Sequence, residues 1–289
     1  MTPGTVALLL ILEASLQFSV LSSGSSGNAT YLEAGGRGFL VDAGFTCRRL
    51  RVLLARIGRD ISSVSALFLT HGHADHTSGV RSLLRERGDI LVYAPPGVAE
   101  VFEGALPVGA YEPLDLGGIW TTFFGVPHDA PTYGVRVSDG ERTSALVTDL
   151  GEVSSEALRF LRGADAVVLE ANHDPDWLLR GPYSVDLKRR VASPTGHLSN
   201  HQAAQAACSL ASHGLKDLVL AHLSTTNNSP ARASGTVHKA LREAGYEGVR
   251  VRTAIAGHPT PWIEVGEPLR SYEYVYRYDG RAQRLFDVE

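Results

Sequence analysis

Ala66-Leu67-Phe68-Leu69-Thr70-His71-Gly72-His73-Ala74-Asp75-His76 is the stretch from which the rest of the chain can be read. A short apolar run of this kind reads as a buried strand, and it empties into three histidines and an aspartate within six positions. A core has no use for that composition, because clustered polar groups need partners. Imidazole and carboxylate suit borderline divalent cations such as zinc, and also manganese or iron. His71 and His73 lie two apart just past a strand, so both can aim at one ion from an extended turn. Asp75 and His76 follow where the next helix should begin and would face a second ion. If this reading holds, further ligands should arrive at the ends of other strands.

The flanking sequence alternates strands and helices with little filler. Gln17 to Ser22 reads as a strand leading into Ser23-Gly24-Ser25-Ser26-Gly27-Asn28, a small-residue turn that lets backbone come close to a ligand, with Ser25 and Asn28 as candidate substrate contacts. A hairpin of Thr30–Ala34 and Gly38–Val41 turns at Gly35-Gly36 and ends in Asp42-Ala43-Gly44, which makes Asp42 a candidate carboxylate behind the ligands. Leu50, Leu53, Leu54 and Ile57 at helical spacing predict a helix over 48–57. After the histidine cluster the pattern predicts a helix to about Arg87, a strand over 90–93 and a helix near 97–102. Strands over 120–126, 133–137, 144–148, 165–169 and 218–220 follow, with helices over 201–212 and 230–244. His128, Asp149, Glu170 and His222 stand just past four of these strands. A lone histidine there would be unremarkable as structure; ionisable residues recurring at one topological level are what a metal centre requires.

Two segments break the rhythm. Residues 177–191 carry Arg180, Lys188, Arg189 and Arg190 and read as part of a basic helical insertion near 174–195, making Lys188, Arg189 and Arg190 candidate phosphate contacts. Tyr272, Tyr274, Tyr276 and Tyr278, at period two, read as an amphipathic edge strand.

Composition bounds the function. With 289 residues and 44% hydrophobic content the chain can bury a sizeable core, and its net charge of -4 excludes a polycation that grips nucleic acid with its whole surface. Cys47 and Cys208 form neither a disulfide framework nor a thiolate metal site, which fits reduced, cytoplasmic surroundings. The apolar run 6–12 resembles a signal-peptide core, but no Lys or Arg precedes it, Glu13 ends it, and it is too short to span a bilayer. The expected organisation is an extension over 1–16, one domain over 17–265 containing the insertion, and a strand and tail over 266–289.

His71-Gly72-His73-Ala74-Asp75-His76 resembles the HxHxDH signature of the metallo-β-lactamase fold superfamily, with His128, Asp149 and His222 in the contexts of its remaining ligands. More narrowly, the turn 23–28, Asp42-Ala43-Gly44, His128-Asp129-Ala130, Glu170-Ala171-Asn172-His173-Asp174, Gly196-His197-Leu198-Ser199-Asn200 and Ala221-His222-Leu223-Ser224 are similar to those of the YycJ/WalJ group. The resemblance implies an α/β fold, the metallo-β-lactamase four-layer αβ/βα sandwich, and a DNA exonuclease working from the 5′ end. It also implies two divalent ions, zinc or manganese: His71, His73 and His128 on the first, Asp75, His76 and His222 on the second, Asp149 between them. Asp75, Glu170 and His197 become the catalytic candidates, His197 as general acid oriented by Glu170. The related tRNA-processing endonucleases have serine where Leu198 follows His197, and no cysteine occupies a ligand position, unlike the best-known antibiotic-hydrolysing members. Asn200, in the same motif as His197, is a further candidate substrate contact.

A two-metal centre attacks phosphodiesters, lactones and thioesters alike. The alternatives to a nuclease are therefore a small-molecule phosphodiesterase or a lactone or thioester hydrolase, and, from a different class, a non-catalytic metal-binding scaffold.

Overall fold

A computed structural model describes residues 16–266, 276–278 and 281–283. In chain order the first part supplies strands Gln17–Ser22 (β1), Ala29–Ala34 (β2), Arg37–Val41 (β3), Val64–Phe68 (β4), Leu91–Ala94 (β5) and Leu106–Pro107 (β6). Its helices are Cys47–Ala55 (α1), Ala74–Thr77 (α2), Val80–Glu86 (α3) and Pro96–Ala99 (α4). The second part supplies Pro113–Asp115 (β7), Trp120–Val126 (β8), Thr132–Ser138 (β9), Thr143–Val147 (β10), Ala166–Glu170 (β11), Asp217–Ala221 (β12) and Arg250–Thr253 (β13). Its helices are Ser155–Leu161 (α5), Pro175–Arg180 (α6), Val185–Val191 (α7), Asn200–Ala211 (α8) and Pro230–Glu243 (α9). Ile263–Glu264 (β14) returns to pair with β1. The two sheets run β14-β1-β2-β3-β4-β5-β6 and β13-β12-β11-β10-β9-β8-β7.

Three apolar layers hold these elements together. Between the sheets, Phe18, Phe39 and Phe68 of the first meet Phe123, Val135, Leu146 and Val168 of the second. The Phe68 and Phe123 rings pack edge to face with centroids 5.7 Å apart, the arrangement aromatic quadrupoles favour. Outside the first sheet, α1 buries Leu50, Leu53 and Leu54, and α3 buries Val80 and Leu83. Outside the second, α5, α8 and α9 bury Leu161, Leu210 and Val237 among others. Each fully buried leucine contributes about 1.5–3 kcal/mol relative to exposure. The order helix, sheet, sheet, helix is the four-layer sandwich expected from the sequence.

Each sheet is antiparallel in one part and parallel in the other: β3, β4 and β5 run parallel, as do β10, β11, β12 and β13. Strands β10, β11 and β12 are buried at every position, as parallel strands covered on both faces must be. β8 lies two antiparallel steps from β10 and so points the same way. The segments after β4, β8, β10, β11 and β12 therefore emerge at one rim, where open α/β sheets form crevices.

Several elements differ from expectation. The helix after the histidine cluster is two pieces, because Gly79 interrupts it: a Cβ there would stand 1.6 Å from the Phe45 carbonyl oxygen. The Gly79 amide donates instead to the Ala43 carbonyl at 2.8 Å, which presses the Asp42–Gly44 loop onto the ligand turn. The helix expected near 97–102 is the single turn α4. Helix α5, capped by Ser154, is only seven residues long and gives little periodic signal. The insertion is a pair of short helices, α6 and α7. Of the tyrosine-rich tail, Tyr272 and Tyr274 lie outside the described residues, as do 1–15 with their apolar run. Tyr276–Tyr278 (β15) pairs antiparallel with Arg281–Gln283 (β16) and joins neither large sheet. No helix among the described residues is long and apolar enough to cross a membrane.

Candidate metal centre

The rim brings together all seven residues expected as ligands. His71, His73 and His128 form one group, Asp75, His76 and His222 a second, and His71, His76 and Asp149 a third that links them; within each, the ligand atoms lie within 4.8 Å of one another. Of the first four candidates, His71 and His73 come from the β4–α2 turn and Asp75 and His76 from α2 itself. The others each follow a different strand: His128 after β8, Asp149 after β10 and His222 after β12. Asp149 and His222 have φ of 61° and 54°, and Asp42, after β3, has 62°. These left-handed conformations are uncommon outside glycine and turn the chain sharply as it leaves the sheet.

Most of the imidazoles are anchored through Nδ1. His76 Nδ1 bonds Asp42 Oδ2 at 2.7 Å, His71 Nδ1 meets Thr70 Oγ1 at 3.0 Å, His128 Nδ1 donates to the Gly196 carbonyl at 3.1 Å, and His222 Nδ1 donates to Glu170 Oε1 at 2.7 Å. Asp42 also accepts from the Thr70 amide at 2.9 Å. Such outer contacts fix the ring orientation and leave Nε2 of His71, His128 and His222 pointing away from the anchor, whereas His76 Nε2 meets Asn28 Nδ2 at 2.9 Å. Nε2 of His71, His128 and His222 and Oδ2 of Asp149 are buried and make no aligned hydrogen bond, although Asp149 Oδ2 lies 3.1 Å from His76 Nε2 and His128 Nε2 3.2 Å from Asp129 Oδ1. An unbonded buried polar atom costs about 1–3 kcal/mol, so four of them converging argue for a bound species that satisfies them. The donor set, nitrogen and oxygen with no sulfur, fits divalent metal ions.

Electrostatics divide the histidines. Burial, aided by the neighbouring His76, pushes His71 down to about 3, which keeps it the neutral imidazole a metal requires. His76 goes the other way: burial would lower it, but Asp42 and Asp149 push it up to about 10. Burial would raise Asp149, yet the His222 and His76 imidazoles hold it well below the usual carboxylate range. A buried, ionised carboxylate hemmed by imidazoles is a place for positive charge.

Glu170 is fully buried and is the hub of the second sheet's contribution. Its Oε1 accepts from His222 Nδ1 and, at 2.9 Å, from His197 Nδ1, while Oε2 accepts the amides of Leu150 and Leu198, each at 3.1 Å. Burial would raise its pKa; the His197 and His222 imidazoles reverse this and keep it ionised. His197, against the lowering effect of burial, is raised by Glu170.

The substrate-contact candidates divide. Ser25 is exposed on its turn, and Arg189 is exposed beside Asp186. Lys188 Nζ donates to the Leu179 carbonyl at 2.8 Å, and Arg190 reaches Asp129 Oδ2 through Nε at 3.1 Å and Nη2 at 2.5 Å. Asn200 does not face a substrate. It is fully buried and exchanges two amide hydrogen bonds with Asn228, at 3.0 and 2.8 Å. Asn28 is also buried, and its amide holds the ligand turn, with Nδ2 at 3.3 Å from Asp75 Oδ2 and 2.9 Å from His76 Nε2. Sequence reasoning missed Asp129, whose Oδ1 lies 3.4 Å from His73 Nε2 and 3.2 Å from His128 Nε2. Its place directly after a strand-end histidine was the available signal. Thr70 and Ser23, which accepts the His222 amide at 2.8 Å, were also missed.

Comparison with known proteins places this geometry in context. Residues 37–223 match the family model described as beta-lactamase superfamily domain. The chain is 36% identical over 242 residues to the exodeoxyribonuclease YycJ of Bacillus anthracis, covering 80% of this chain and 91% of that protein. It is 35% identical over 245 residues to the exodeoxyribonuclease WalJ of Streptococcus pneumoniae, covering 80% and 90%. Among solved structures, the metallo-β-lactamase fold protein YhfI from Bacillus subtilis superposes with a TM-score of 0.64 at 18% identity, over 85% of this chain and 99% of that one. The short form of human tRNase Z superposes with a TM-score of 0.60 at 17% identity, over 84% and 98%. At those identities the structural likeness speaks for the fold.

Proposed function

From the premise that the chain belongs to the beta-lactamase superfamily, and within it to the family of the YycJ and WalJ exodeoxyribonucleases, we propose that it is a metal-dependent phosphodiester hydrolase removing nucleotides from the 5′ end of DNA. The carrying observation is the convergence of seven nitrogen and oxygen ligands at one rim, four of whose atoms are buried without an aligned hydrogen bond. His71, His73 and His128 would hold one divalent ion and Asp75, His76 and His222 the other, zinc or manganese, with Asp149 shared. Bound there, the ions supply Lewis acidity and bring the pKa of water from near 16 toward about 7.

The remaining chemistry belongs to side chains. Asp75, partly open to the cleft, accepts the proton of the attacking water in addition to its ligand role. His197 gives a proton to the departing 3′ oxygen, and Glu170, ionised and bonded to its Nδ1, keeps the ring basic enough to be recharged. Because Glu170 bonds His222 through the same oxygen, it aligns the proton donor with a ligand of the second ion. Ser25, Lys188, Arg189 and Arg190 line the approach to the phosphates, whereas Asn28 and Asn200 serve the framework. The exonuclease names of relatives aligned over most of their length favour DNA over a small phosphodiester or a lactone. The basic insertion points the same way.

Incubating the purified protein and manganese with duplex DNA labelled at either end tests this. Release of labelled mononucleotide from the 5′ label first is the expected result. No nucleotide release, alongside turnover of a small lactone or phosphodiester, would overturn it in favour of the small-molecule reading.

A further inference from the structure

Among the large apolar side chains that stand out into solvent in the described residues, four lie within eleven positions: Trp177, Leu179, Val185 and Leu187, exposed by 39%, 71%, 62% and 38%. Single exposed apolar residues are ordinary; a run of them marks an interaction surface. They share the α6–α7 pair with Arg180, Lys188, Arg189 and Arg190, against the carboxylates Asp176 and Asp186, in a chain whose net charge is -4. A locally cationic, apolar protrusion suits a polyanion that also offers flat apolar faces.

The protrusion is braced. The Arg232 guanidinium lies 4.5 Å from the Trp177 ring centroid and bonds Asp174 at 2.7 Å. Lys188 ties α7 to the end of α6 through the Leu179 carbonyl. Arg190 fastens the far end of α7 to Asp129, which lies against His73 and His128. Trp177 is thus committed to a brace, and Leu179 and Val185 remain the most exposed apolar side chains of the pair. Val185 begins α7 and Arg190 falls in its last turn, about 7–8 Å along the helix axis at 1.5 Å per residue. That is about two nucleotides at 3.4 Å per step along a strand.

We infer that the α6–α7 pair is a wedge that opens a duplex end, with Leu179 and Val185 set against the terminal base pair and the Arg190 end of α7 lying toward the metal ligands. Lys188 and Arg189 would hold the phosphates of the strand being led in. Inserted aliphatic side chains unstack base steps elsewhere, a cost recovered in added contacts. The wedge rests on the nuclease reading above. The excess of cations favours nucleic acid over a protein partner or a second copy of this chain.

The test compares two substrates in manganese: a blunt duplex, and the same duplex with three unpaired nucleotides at the 5′ end. The double variant Leu179→Ser/Val185→Ser should lose about tenfold on the blunt duplex, equal to about 1.4 kcal/mol, and retain its rate on the unpaired end. That retained rate also reports that the variant is folded. Leu179→Met/Val185→Ile should restore the blunt-end rate. An undiminished blunt-end rate, or an equal loss on both substrates, overturns the wedge and leaves the nuclease reading standing. So does a wild type that is dimeric by light scattering and becomes monomeric in the double variant with its blunt-end rate intact, which would assign the surface to self-association. Failure of the wild type to release nucleotide from either substrate overturns the nuclease reading and the wedge with it.

Discussion

The two halves of the sandwich reach the same centre by opposite routes. The first contributes His71, His73, Asp75 and His76 from one turn six residues long; the second contributes His128, Asp149 and His222 from three strand ends spread over 95 positions. A local turn positions its ligands by short-range geometry, whereas dispersed ligands depend on the register of a whole sheet. The halves also differ in what stands behind the histidines. Asp42 backs a ligand and the turn itself, while Glu170 backs a ligand and the proposed proton donor together. Damage to the second half should therefore be felt in turnover and damage to the first mainly in metal retention.

The largest effect is expected at the residue both ions would share. Asp149→Asn removes a charge from the shared position, and a loss of several kcal/mol of transition-state stabilisation means turnover falls on the order of a thousandfold. Steady-state assay beside metal analysis checks this; full activity with normal metal content would favour the scaffold reading. Glu170→Gln comes next. Loss of an outer partner typically costs about 10–100-fold, and this change should reach the upper end because it unseats His197 as well as His222, with kcat falling more than metal occupancy. Asp42→Asn should sit at the lower end of that range, its defect largely repaired by added manganese. Equal, metal-reparable losses for the two variants would break the comparison. The smallest effect on catalysis is expected for Asn200→Ala. Orphaning the Asn228 amide should cost about 1–3 kcal/mol in an unfolding titration while the folded enzyme keeps its turnover. A selective loss of DNA cleavage would return Asn200 to the substrate.

What was legible in the sequence follows the same division. The turn 71–76 declares itself because ligand spacing and local geometry coincide. The dispersed candidates were legible only through repetition, one ionisable residue after another at strand ends, and the parallel order of β10, β11 and β12 is what makes that repetition spatial. Pairings across long sequence separations were not legible. Asn200 looks like a polar loop residue until Asn228 is placed beside it, and Asn28 looks like a turn residue until the ligand turn packs against it. The break between α2 and α3 depends on Phe45, 34 positions before Gly79, so local periodicity runs straight through it. For the tyrosine strand, period two specifies a strand and says nothing about its neighbour, which is Arg281–Gln283.

The backbone at Asp42, Asp149 and His222 has a consequence for attempts to engineer this protein. Each holds a non-glycine residue in the left-handed region, at about 1–3 kcal/mol of strain. Glycine would relieve that strain, but at Asp42 it would strip the Thr70 amide and His76 Nδ1 of their acceptor and at His222 it would strip Glu170 of a donor, losses as large as the strain itself; at Asp149, whose Oδ2 makes no aligned hydrogen bond, the gain would discard the carboxylate of the centre. Robustness and activity are therefore opposed by backbone geometry at Asp149, and coincide at Asp42 and His222. Libraries meant to harden the enzyme should hold them fixed.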